Sequence, residues 1–329
     1  MRDLKSMLVG AFGVLSALAA LLPLSAAVAT AAPYPSKPVR FIVPMTPGGS
    51  TDAFARLVAA NLAERLGVQV IVENKPGGGG VLAGEMVTKA DPDGYTLLFS
   101  AMDFTILPAI QKLPYDPEKS FTPIARLISG PNILTVHPSV PANSVKELIA
   151  LAKQKPGELV FVASGVGATP HMGIELFKMM AGIDIKIVQF KGGSLAVINM
   201  LGGHSDATIG GLAQSQAHIK SGKVKVLASC GAKRSSFLPD VPTMAEAGVP
   251  GYELDQWFGL FAPAGTPASI VDGLNKELKA ILASDKVKTQ ILNAGGEADY
   301  IGAAEFSPLI GKEITKWTRI VKEANIKVE

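Results

Sequence analysis

From Pro35 onward, short apolar runs alternate with stretches whose apolar residues recur at helical spacing. The runs 39–44 (VRFIVP), 68–73 (VQVIVE) and 96–100 (TLLFS) are rich in β-branched and apolar residues and read as strands. Between the first two, Phe54, Leu57, Val58, Leu62 and Leu66 fall at i, i+3, i+4, i+8 and i+12, one face of a helix over 52–66. A second alternating block starts near Ser139. It predicts a helix over 144–155 with Asn143 or Ser144 as N-cap, strands at 159–163, 185–190 and 224–229, and a helix over 170–181. Phe306, Leu309, Ile310, Ile314, Trp317, Ile320 and Val321 mark the buried stripe of a closing amphipathic helix. Continuous apolar strands alternating with helices imply a largely parallel sheet covered on both faces, here in two α/β blocks.

Composition narrows the class. A chain of 329 residues with 48% hydrophobic and 18% charged residues is globular rather than disordered, and long enough for two domains. The net charge is +3 and its Lys and Arg are scattered, so no nucleic-acid partner is expected. Cys230 is the only cysteine, which excludes an internal disulfide. His137, His171, His204 and His218 form no HExxH spacing, so neither a metal site nor a cofactor is expected.

The N-terminus predicts a signal peptide over 1–31. Arg2 and Lys5 precede an apolar stretch broken by Gly10, Gly13 and Pro23, and Ala27-Val28-Ala29 and Ala29-Thr30-Ala31 both fit the cleavage pattern. The rest of the chain has no unbroken apolar segment of about 18 residues, so a soluble periplasmic protein is expected.

Three glycine-bearing turns sit between a strand and a helix. In Gly48-Gly49-Ser50-Thr51-Asp52, backbone N–H groups at a helix N-terminus could hold an anion; a plain tight turn with Asp52 as N-cap is the other reading. Ser164-Gly165-Val166-Gly167-Ala168-Thr169-Pro170-His171 repeats the architecture in the second block, with Pro170 near the helix start. Two such turns, one per block, suit an anion held between two domains. In the third, Lys191-Gly192-Gly193-Ser194, the lysine either faces a carboxylate or is solvated. Gly192 to Ala196 falls one glycine short of a GxSxG nucleophile elbow, and no activated nucleophile is evident, so an enzyme is not expected.

These loops, in order, resemble the Bug-type receptors of tripartite tricarboxylate transporters, extracytoplasmic solute-binding proteins of Gram-negative bacteria. The matching stretches include YPSKPVRFIVPMTPGGSTD (34–52), VIVENKPGGGG (70–80), KADPDGYTLL (89–98), ASGVGATPHM (163–172), FKGGSLAV (190–197) and WFGLFAPAGTP (257–267). The resemblance implies a type II periplasmic-binding-protein fold: two α/β domains around a ligand cleft, joined by two crossing segments near 131–138 and 256–263. The implied domains are 32–133 plus 258–329 and 134–257. It implies a ligand carboxylate held by Gly48, Gly49, Ser50, Thr51 and Asp52 and by Ser164, Gly165, Gly167, Ala168, Thr169 and His171. Lys191, Gly192 and Ser194 would line the cleft, with Trp257 near the return hinge.

The chain departs from the family where many members carry a Thr-His or Ser-His pair. Here Met102-Asp103-Phe104 stands, with Phe104 in place of the His. This predicts an altered distal pocket with Phe104 or Met102 against a partly apolar ligand, such as an aromatic carboxylate; a dicarboxylate is the other class. The implied partners are that small carboxylate and a membrane permease, with the receptor a monomer. A periplasmic sensor feeding a signalling system is the main alternative, and a periplasmic hydrolase a weaker one.

Overall fold

The computed structural model describes residues 34–190, 192–323 and 326. The expected signal peptide and Lys191 lie outside the described residues.

The first block is β1 (Val39–Val43), α1 (Ser50–Leu66), β2 (Val70–Asn74), α2 (Val81–Thr88), β3 (Thr96–Ala101) and α3 (Asp103–Ile110). Strands β2, β1 and β3 pair in parallel. Val39, Phe41, Ile42 and Val43 are fully buried, as a strand covered on both faces requires. Helix α1 buries Phe54, Val58 and Leu62 and ends at Gly67, whose left-handed backbone (φ +68°) lets its N–H reach the Ala63 carbonyl.

The long strand β4 (Phe121–Val136) carries the chain across. Its 121–131 part pairs antiparallel with β9 (Asp255–Pro263), which itself pairs with β3. From Asn132 onward it pairs with β7 (Ala207–Gly211), then with β8 (Lys225–Ser229). One strand thus belongs to both halves of a ten-stranded sheet. The second half contains α4 (Val145–Gln154), β5 (Val160–Ala163), α5 (Thr169–Ala181), β6 (Lys186–Gln189) and α6 (Gly193–Leu201), and α7 (Leu212–Lys220) follows β7. Ser144 caps α4, its Oγ accepting the Glu147 N–H at 3.2 Å.

The chain returns where the Leu254 N–H still donates to Cys230 in the second half while Asp255 already pairs with Pro131 in the first. The return therefore falls one residue before the start of the 256–263 stretch that the family resemblance implied. Helices α8 (Ala268–Ala283) and α9 (Asp285–Asn293), strand β10 (Glu297–Gly302) and helix α10 (Ala303–Glu323) complete the first half. β10 pairs with β4. Helix α10 buries Phe306, Ile310, Trp317 and Ile320 of its predicted stripe. Cys230 is buried, and burial pushes its thiol up, away from the thiolate form.

Candidate functional site

The two halves face each other across a cavity of about 110 Å³. A single water needs roughly 10–15 Å³ of such space, so the cavity has room for several waters or a small organic acid. Its wall includes Gly49, Ser50 and Thr51 from the β1–α1 turn, Asp103 from α3, Ser164, Ala168 and Thr169 from the β5–α5 turn, and Gly192 from the β6–α6 turn. The helix starts of α1 and α5, which lie in different halves, thus open on one space. The first-turn N–H groups of a helix have no intrahelical acceptor, which makes each start a positive pole.

Other residues expected in the site brace these turns instead. Asp52 is buried with its carboxylate turned back on its own loop. Oδ2 accepts the Gly48 N–H at 3.0 Å and the Arg56 Nε at 3.1 Å, and Oδ1 accepts the Asn74 Nδ2 at 2.9 Å. Burial pushes this carboxyl up, but Arg56, Gly48 and Asn74 together outweigh it and hold it below the ordinary range. The Gly48 N–H is thereby committed inside the loop. In the second turn the Gly167 N–H donates to His171 Nδ1 at 3.0 Å, and His171 is 6% exposed. Burial holds its imidazole below the ordinary value, so the ring is a neutral acceptor at Nδ1 and carries its proton on Nε2, 3.8 Å from Glu175 Oε1. Gly165 and Ser194 do not line the cavity either.

At the expected distal-pocket position the side chains are mostly packed. Phe104 is 5% exposed, its ring stacked on Phe261 at 4.6 Å and edge-on to Phe121 at 5.2 Å, and Met102 belongs to the same core. Neither lines this cavity, but Phe104 borders a small pocket beside it that shares Met45 and Asp103 with it. Trp257 also points away from it, its indole N–H on Glu313, because successive β9 side chains alternate faces. Its neighbours Gln256 and Phe258 take the cavity face, where Phe258 packs on Phe54 at 4.7 Å between ring centroids.

Contacts bridge the halves around the cavity. The Thr169 N–H and hydroxyl both donate to Asp103 Oδ1, at 2.5 and 2.6 Å. Gln214 Nε2 donates to Ser50 Oγ at 3.4 Å. Gly167, at φ +74°, lies against Ile110, and a Cβ there would come within 1.9 Å of Ile110 Cδ1. Two buried amide atoms in the wall, Asn132 Nδ2 and Gln256 Oε1, have no protein partner. Sequence reading missed both. A polar residue opening the apolar run of β4 was the available signal for Asn132. The two-residue strand period beside Trp257 was the signal for Gln256 and Phe258.

Residues 54–326 match the model of the tripartite tricarboxylate transporter family receptor. The chain belongs to this family. The protein BugT of Bordetella pertussis is 34% identical over 310 residues, 92% of this chain and 94% of that protein. Among solved structures, R. palustris Rpa4515 with adipate is 36% identical with a TM-score of 0.84, covering 89% of this chain and 99% of its own. The periplasmic binding protein BugD is 33% identical with a TM-score of 0.82, covering 90% and 100%. MatC from Rhodopseudomonas palustris with bound malate is 31% identical with a TM-score of 0.81, covering 88% and 100%. As a family receptor the chain has the type II periplasmic-binding-protein fold. Its two lobes are the two half-sheets, and β4 and the segment entering β9 are the crossings.

Proposed function

We propose that this receptor captures a small carboxylate between its lobes, closes on it, and delivers it to the membrane permease of a tripartite transporter. The observation that carries the reading is the opening of two helix starts, from α1 and from α5, on one cavity between the lobes. The solved relatives with adipate and malate support the ligand class.

In this reading the first-turn N–H groups of Ser50 and Thr51 take the carboxylate, while Ser164, Ala168 and Gly192 complete the wall. Asp52 and His171 keep the turns in shape. The two lobes rotate about the crossings, and ligand contacts from both sides favour the closed form. The N-terminal segment exports the chain to the periplasm, where it works as a monomer. No bond is made or broken, and no catalytic residue or cofactor enters. Lys191, on the third turn, adds its charge to the approach of the anion.

The test is a thermal-shift screen against mono-, di- and tricarboxylates, because a ligand selective for the folded state raises the melting temperature by mass action. A hit with micromolar affinity, about −8 kcal/mol, is expected. A screen in which no carboxylate shifts the transition, while uncharged solutes do, overturns the reading.

A further inference from the structure

Among the described residues lining the cavity Asp103 is the one charged side chain, and no Lys, Arg or His accompanies it. Asp103 is 8% exposed, and its Oδ1 accepts two bonds at the start of α5. The second anion-holding turn is therefore already filled by a carboxylate of the chain's own opposite lobe. A ligand carboxylate placed there would find the Thr169 N–H and hydroxyl already taken, with no described cation in the wall to hold it instead. At the α1 start no such carboxylate intervenes, because Asp52 is turned back on its own loop.

We propose that Asp103 is the specificity-determining residue of the cleft and that the ligand is an amino-carboxylate, its carboxylate at the α1 start and its ammonium beside Asp103. The inference rests on the carboxylate-receptor reading and narrows it. A carboxylate offers about four acceptor positions, and Thr169 uses only one oxygen, so Asp103 retains capacity for a second donor. The two orphaned amide atoms fit the same bipolar ligand. Asn132, 2% exposed and in the cavity wall, keeps an unpartnered Nδ2 donor suited to a carboxylate, and Gln256, which borders both this cavity and a neighbouring one, keeps an unpartnered Oε1 acceptor suited to an ammonium. Burial pushes the Asp103 carboxyl up against the pull of the Thr169 bonds, and an ammonium alongside favours its ionised form.

The experiment is calorimetric titration of the purified protein with matched pairs of one chain length: 4-aminobutanoate against succinate, and 6-aminohexanoate against adipate. The amino member of at least one pair is expected to bind roughly tenfold or more tightly than its diacid. Asp103→Asn is expected to bring that pair to within about threefold. Asp103→Ser, which keeps a hydroxyl to accept from Thr169, serves as the second variant, and melting curves of both establish folding. A wild-type protein that binds the diacids as tightly as, or more tightly than, the amino acids overturns the inference while leaving the carboxylate reading standing. A preference for the amino member that persists unchanged in both variants removes Asp103 from the explanation. Binding of neither class overturns the carboxylate reading itself, and the inference with it.

Discussion

The indole N–H of Trp257 donates to both carboxylate oxygens of Glu313, at 3.1 Å to Oε1 and 2.9 Å to Oε2. The Thr105 hydroxyl donates to the same Oε2 at 2.9 Å. One half-buried carboxylate on α10 thus ties together the returning strand β9 and helix α3, the helix that carries Asp103 to the cavity on its first turn. Trp257 therefore acts on the frame behind the cleft.

Trp257→Phe removes the hydrogen bonds to the half-buried Glu313 carboxylate and leaves a void, and is expected to cost about 2–3 kcal/mol of stability. Glu313→Gln has a pH signature. Burial pushes the Glu313 carboxyl above its ordinary 4.5, against the bonds from Trp257 and Thr105, so the folded protein keeps this proton at a pH where the unfolded chain has lost it. That contribution is fully present below pH 4.5 and is lost as pH rises through the folded value. Wild type minus Glu313→Gln stability, from urea denaturation at about pH 4 and about pH 7, should therefore fall with rising pH.

Asn132→Leu replaces an orphaned buried amide by an apolar group of similar volume. Stability is expected to hold or rise by about 1 kcal/mol, while ligand affinity drops roughly tenfold. A melting curve and a titration on one preparation check the two opposite signs.

The imidazole of His171 is held below its ordinary 6.5, chiefly by burial, with Lys178 in the same sense and Glu175 opposing. The unfolded chain therefore takes up this proton before the folded one does. Stability is full above pH 6.5 and falls as pH drops from there toward the folded value. His171→Leu removes that slope and orphans the Gly167 N–H, at a cost of about 1–3 kcal/mol near neutrality. Unfolding curves at several pH values for both proteins provide the check.

Gly167→Ala places a Cβ within 1.9 Å of Ile110 Cδ1 and forces a side chain onto a backbone at φ +74°. The clash lies between lobes, so closure suffers most. Affinity is expected to fall at least about tenfold, with stability down by about 1–2 kcal/mol. Ile110→Ala in the same chain should recover part of the affinity, because it removes the clash and leaves only the strain.

Local chemistry made much of this protein legible from its sequence. Continuous apolar runs gave β1, β3 and β5, the Phe54, Val58 and Leu62 stripe gave α1, and Asn143 or Ser144 announced the start of α4, with Ser144 the one that caps it. The glycine turns before α1, α5 and α6 were visible because such turns draw on residues adjacent in the chain. Which groups of those turns remain available was settled only in three dimensions. The N–H groups of Gly48 and Gly167 are consumed by Asp52 and His171, and the Thr169 N–H by Asp103, 66 residues away. The family resemblance placed Trp257 beside the hinge, but the face of β9 that meets the cleft depends on its pairing with β4, and that pairing sent Trp257 to Glu313 and Phe258 to the cavity. A hydrogen bond between distant residues is chosen by the packing of whole elements, and a pattern along the chain carries no record of which side chain reaches an acceptor first.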